Sequence, residues 1–166
     1  DERVSIFDRL DTLETRFPQV FFGVCIVTLP EQLSLREFGF WLINHVAVTD
    51  GDPARPNENG VILTIDLTSR AASFSLGYTL ERIVTEADLF ACLNEAQPLF
   101  AQFQFGAAID RTMHYFGEAL AWRIAEARRD PEAFARSQPV AGSSPDFEPI
   151  RSSQLELEPE TEKQVA

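Results

Sequence analysis

The chain has 166 residues, 45% of them apolar and 14 of them Phe, and carries a formal net charge of −12. That length suits one domain with a sizeable core and is too short for two ordinary ones. So acidic a surface repels phosphate backbones and anionic headgroups, which argues against nucleic acid and against electrostatic docking on a membrane.

Val4 to Phe17 reads as an amphipathic helix, with Val4, Phe7, Leu10, Leu13 and Phe17 at three- and four-residue spacing. Pro18 stops it. Val20 to Val27 is continuously apolar and rich in β-branched and aromatic residues, the pattern of a strand covered on both faces. Pro30 and Glu31 open a second helix with Leu35, Phe38, Leu42 and Val46 on one stripe. Thr49 to Gly60 is dense in turn formers and reads as a loop. Val61 to Leu67 is a second strand. Thr68, Ser69 and Arg70 turn it into a third, Ala72 to Tyr78, with Ala72, Phe74, Leu76 and Tyr78 on one face and Ser73, Ser75 and Gly77 on the other. Thr85 and Asp88 have the spacing of a capping box opening a helix through Leu89, Phe90 and Leu93; Pro98 kinks or restarts it. The last helix carries the longest stripe, running through Phe105, Ala108, Ile109, Thr112, Met113, Phe116, Leu120 and Ile124.

Helix, strand, helix, strand, strand, helix, helix implies a three-layer α/β/α sandwich, a small mixed sheet with helices on both faces. The domain is expected to span residues 1–129. Residues 130–166, punctuated by Pro, Ser and Glu, are expected to form a flexible acidic tail. No run approaches the ~18 apolar residues of a membrane span. No signal peptide is visible, and a start at Asp1 without Met is expected of a processed or trimmed form. Cys25 and Cys92 are expected to be buried, unpaired thiols, a disulfide between them being a matter of Cα separation.

The chain lacks Gly-x-Ser-x-Gly, a Walker loop, Gly-x-Gly-x-x-Gly, His-Glu-x-x-His and any Cys-x-x-Cys pair, which removes most common catalytic machines and a structural zinc site. His45 falls at the end of the second helix, where a cation suits the helix dipole. His114 shares a helix face with Asp110 and Glu118 at four-residue spacing, a trio read as a solvated face with local ion pairs rather than a chelate. The acidic loop is the best candidate site. Asp50, Asp52, Asn57, Glu58 and Asn59 offer the oxygen ligands that hard cations prefer, although the same residue types also simply make turns.

The run Glu58 to Leu63, then Arg70, Gly77 to Glu81, Thr85 to Ala87, and Pro98 to Phe100 resembles the TPM-domain family. That family spans thylakoid-lumen proteins linked to photosystem repair, a receptor-accessory protein in nematodes and many exported bacterial proteins. The resemblance covers roughly Phe7 to Ile124 and implies the same α/β/α sandwich, an extracytoplasmic setting, and an acidic cluster at one sheet edge that binds divalent cations in some members. It also implies acid phosphatase activity, described for some plant relatives. The family's Asp before Asn-Gly falls on Glu58 and its Asp after Thr on Glu86, and its Arg after the second strand is Arg70. The middle Gly of Gly-Tyr-Gly is Thr79, the usual basic residue after Pro-x-Phe is Ala101, and the acid-aromatic pair is Gln104-Phe105. Phosphate chemistry needs positive charge or a metal, so these departures favour a non-catalytic or weakly catalytic interaction domain with another protein as partner. Metal-assisted phosphomonoester hydrolysis is the alternative. The expected cation is Ca2+ or Mg2+, held by Asp50, Asp52, Asn57, Glu58, Asn59 and Glu86.

Overall fold

A computed structural model of the chain describes residues 2–45, 57–137 and 155–156. The elements run α1 (Glu2–Arg16), β1 (Phe21–Val27), α2 (Leu35–His45), β2 (Gly60–Asp66), β3 (Ala71–Leu76), α3 (Tyr78–Glu81), α4 (Glu86–Ala101), α5 (Phe105–Arg129), α6 (Pro131–Ser137) and β4 (Leu155–Glu156). β1 and β2 pair in parallel, β2 and β3 antiparallel, and the short β4 lies on the outer edge of β3, giving the order β1-β2-β3-β4. A parallel pair cannot be closed by a tight turn, so α2 makes the crossover from β1 to β2. α1, α4 and α5 cover one face and α2 the other, the three-layer α/β/α arrangement that the element order implies.

β2 is buried along its whole length, as a central strand between two helical layers must be. Val61, Leu63 and Ile65 meet Ala72 and Phe74 of β3 and the buried faces of α4 and α5 in one core. Phe rings bridge this core, Phe22 packing 6.2 Å from both Phe17 and Phe116, and Phe74 5.1 Å from Phe116. The stripe from Ala108 to Leu120 on α5 supplies its floor. Gly117 lets α1 approach closely, since a Cβ there would lie 2.5 Å from the Leu13 side chain. Above this contact Arg9 bonds Asp110 at 2.8 Å and Arg16 pairs with Glu118. On the opposite face Gly39 brings α2 down onto Thr64 and Ser75. Thr64 Oγ1 is buried there with no hydrogen-bond partner among the described residues.

Several elements differ from the sequence expectation. α2 begins at Leu35 rather than Pro30, and its buried stripe is Leu35, Gly39 and Ile43, because a helix needing close contact with a sheet turns its glycine inward. Phe38 and Leu42 are half-buried, and Val46 lies outside the described residues. β3 ends at Leu76, so Tyr78 opens α3 and is 60% exposed instead of sharing the core face. α4 runs through Pro98 without restarting. That proline sits in the last turn, where only one intrahelical bond is forfeited and Gln102 N–H closes onto its carbonyl. Phe7, counted in the α1 stripe, is 68% exposed. Both cysteines are free, and burial pushes the Cys92 thiol up to about 12, leaving it unreactive. No described helix is long and apolar enough to cross a membrane.

Candidate functional site

The turn before β2 is built by the backbone of three neighbouring elements. Asn57 donates its side-chain N–H to the Ile43 carbonyl at 2.8 Å, tying the turn to α2. The Asn57, Glu58 and Asn59 carbonyls then accept from Gly60 (2.9 Å), Thr79 (3.0 Å) and Phe21 (3.0 Å) N–H groups. Gly77 N–H donates to the Gly60 carbonyl at 2.7 Å. Gly77 is required by space, not by its dihedrals: a Cβ there would lie 2.0 Å from the Asn57 carbonyl oxygen and 2.5 Å from that of Glu58. The Gly-Tyr-Thr-Leu-Glu run therefore locks the Glu58 turn from the β3 side.

Glu86 occupies the first turn of α4. The capping box expected from Thr85 and Asp88 is present: each side chain bonds the other's backbone N–H, at 2.9 and 3.3 Å. Arg123 of α5 reaches the same carboxylate, 2.8 Å from Asp88 Oδ2. Burial acts to raise the Asp88 carboxyl, but the bonds from Arg123 and Thr85 outweigh it and hold it below the usual range. Because α3 follows β3 directly and its first turn bonds Glu58, the α4 N-terminus and the Glu58 turn lie at the same end of the sheet.

Of the expected cation ligands, Asn57, Glu58, Asn59 and Glu86 are thus placed, with Glu58, Asn59 and Glu86 exposed; Asp50 and Asp52 lie outside the described residues. Among the described residues no three His, Cys, Asp or Glu side chains are grouped to hold a metal. The three turn carbonyls are committed to the fold, leaving Glu58, Glu81 and Glu86 as exposed carboxylates among the described residues at this end. No arrangement of roughly six or more converging oxygens, the number that calcium takes, is formed by these side chains among the described residues. The described donors by themselves do not make a closed oxygen cage.

Arg70, the basic residue retained from the family pattern, sits elsewhere. It lies in the β2–β3 turn at φ 55°, its guanidinium 4.8 Å from the Phe103 ring. β2 separates that turn from Glu58, and a seven-residue strand rises roughly 20 Å. Ala101, the last residue of α4, and Gln104, the N-cap of α5, belong to the Arg70 end, where Arg70 meets the Phe103 ring between them. The His114 face is an ion-paired surface, but its pairs run between helices: Asp110 to Arg9 and Glu118 to Arg16. His45 is stacked on Trp41, ring centroids 5.6 Å apart, with Nδ1 3.0 Å from the Trp41 carbonyl.

Two features escaped the sequence reading. Asp66, 4% exposed, accepts from Leu29, Thr68 and Ser69 N–H groups and the Ser69 hydroxyl, joining the β2–β3 turn to the chain after β1. Burial opposes its ionisation, but these bonds win and lower its pKa. The Asp-x-Thr/Ser-Ser spacing of an Asx turn was the available signal. The second is a groove of about 570 Å³ between the C-terminal ends of α1 and α5, lined by Phe17, Ile124, Arg16, Arg128 and Arg129. No sequence signal marks it, because it arises from two helices distant in the chain.

The TPM domain matches residues 1–119 of the chain. No curated protein matches it. The fold is similar to the solution structure of BA42 protein from the psychrophilic bacterium Bizionia argentinensis, with a TM-score of 0.61 at 15% identity, over 74% of this chain and 80% of that one. With the Glu58 turn, its Gly77 clamp and the capped Glu86 helix all inside the matched span, the chain belongs to the TPM-domain family.

Proposed function

We propose that this domain acts by binding another protein, with little or no catalysis of its own, and that its acidic end holds a hard divalent cation weakly. The observation that carries this reading is how the cations are placed: at the Glu58–Glu86 end Arg123 is bonded to Asp88 and Glu126 and Arg82 lies over the Tyr78 ring, and the Arg of the family pattern is far from both carboxylates. Glu58 and Glu86 stand at one end of the sheet, while Arg70 lies roughly 20 Å away along β2, over an aromatic ring. A developing phosphoryl charge must be met at contact distance by cations or a metal. Arg70 serves the turn instead.

A protein partner is favoured by the outer face of α2. Phe40 and Trp41 are 60% and 50% exposed there, and Phe38 stacks on Trp41. Aromatic side chains grouped at a surface are typical of the cores of protein interfaces. At the acidic end, Glu58 and Glu86 would share a cation with Asp50 and Asp52, supplemented by the side chains of Asn57 and Asn59. An oxygen donor set without thiol or imidazole selects calcium or magnesium over zinc. Such an ion would neutralise converging carboxylates and hold the turn to the α4 N-terminus.

The test is a phosphomonoester assay on purified protein with magnesium, manganese or calcium added. Hydrolysis near background is the expected result. Turnover that survives repurification and disappears in Glu58→Gln or Glu86→Gln would establish the hydrolase reading in its place.

A further inference from the structure

We infer that the free edge of β1 is a strand-pairing surface, and that its occupant is β1 of a second copy of this chain, aligned antiparallel about Val24. The inference goes beyond the reading above: it concerns a surface distinct from the α2 face.

The edge is defined by the hydrogen-bond register. Phe21 N–H bonds Asn59 and the Val27 carbonyl receives Leu67 N–H, so residues 21, 23, 25 and 27 turn their backbone groups toward β2. Phe22, Val24 and Ile26 turn theirs outward, where the sheet ends. Among the described residues these groups have no partner. Only an extended backbone satisfies a row of alternating donors and acceptors at this spacing.

Sheet edges are ordinarily protected by lysine, proline, a bulge or brevity. β1 has none of these: it is seven residues of Phe-Phe-Gly-Val-Cys-Ile-Val. The opposite edge is partly occupied, β4 pairing with Ala71 and Ala72 of β3. From Phe17 to Pro30 there is no charged side chain, although 24% of the whole chain is charged. Two molecules of net charge −12 can therefore meet along this strip without bringing carboxylates together.

The strand is also its own complement. About a two-fold axis at Val24, Phe22 faces the copy's Ile26 and Val24 faces Val24, each pair exchanging both backbone bonds. Aromatic and β-branched residues are favourable cross-strand partners. Two exposures support this occupant. Ile26 is 49% exposed within a strand whose neighbour β2 is fully buried. Phe7 leaves the core stripe of α1, the helix packed beside β1, to stand 68% exposed.

Sedimentation equilibrium and light scattering on the full chain test the proposal. The expected mass is twice 18.7 kDa, falling to the single-chain value in Ile26→Lys and in Val24→Pro. The proline removes an outward N–H together with the partial packing of Val24 on the core, whereas the lysine enters a position already 49% exposed, so Ile26→Lys retains the wild-type circular dichroism spectrum. A wild-type chain that stays monomeric at the highest soluble concentration would overturn the pairing, as would dimers that persist in a folded Ile26→Lys. Capture of a different extended peptide on a monomeric chain would overturn it too. None of these results would restore phosphatase turnover, so the protein-binding reading stands or falls separately.

Discussion

Gly77→Ala probes the clamp that positions Glu58. Gly77 has φ −72° and ψ 158°, a conformation alanine adopts freely, so any loss comes from space alone. The new Cβ would meet the Asn57 oxygen at 2.0 Å, the Glu58 oxygen at 2.5 Å and the Glu58 carbonyl carbon at 2.6 Å. All three are backbone atoms, which cannot swing aside as a side-chain tip can. Relief requires the turn to back away from β3, stretching Gly77 N–H to Gly60 (2.7 Å) and Thr79 N–H to Glu58 (3.0 Å). Overpacking costs about 1–3 kcal/mol and each loosened bond about 0.5–1.5 kcal/mol, which together come to about 4 kcal/mol. At roughly 2–4 °C per kcal/mol for a chain of this size, the melting midpoint should fall by about 10 °C. Thermal unfolding followed by circular dichroism reads this out. Gly23→Ala serves as control, since its Cβ would meet only side chains, the nearest being the Phe21 ring at 3.2 Å, and its midpoint should move far less. A Gly77→Ala protein melting within about 2 °C of wild type would refute the clamp.

Calcium titrated calorimetrically into chelator-stripped protein should bind with a dissociation constant of about 10⁻⁴ to 10⁻³ M, and Glu58→Gln should abolish the heat; silence at millimolar calcium would leave the 50–59 segment as a turn only. Asp66→Ala should cost about 2–4 kcal/mol, since it strands several donors at once. Because the Asp66 carboxyl ionises below its ordinary value when folded, its stabilisation is complete above about pH 4 and is lost as the pH falls through the lowered folded value. Urea midpoints compared at pH 7 and pH 3 should therefore show a smaller gap between Asp66→Asn and wild type at the lower pH. A chain ending after Asp130 should melt within a few degrees of the full chain; a large fall would mean that α6 or the Leu155–Glu156 strand holds the domain together.

Local sequence sufficed wherever neighbours in the chain do the physical work. The apolar runs of β1 and β2, the α5 stripe and the Thr85–Asp88 cap are periodicities and caps within single elements, and each appears where its pattern places it. The family resemblance likewise rested on ordered local motifs, and the matched span contains them. What the sequence could not settle depends on which element lies against which. A 3.6-residue period marks Phe38 and Leu42 as inward, yet contact with the sheet selects Gly39 and Ile43, because a helix lying on Thr64 and Ser75 leaves no room for a side chain at that point. Leu29 and Asp66 are 37 residues apart in the chain, and only the pairing of β1 with β2 brings the Leu29 N–H to the Asp66 carboxylate. Sequence separation bounds the distance between two groups only from above; the intervening secondary structure decides how much of that reach is used.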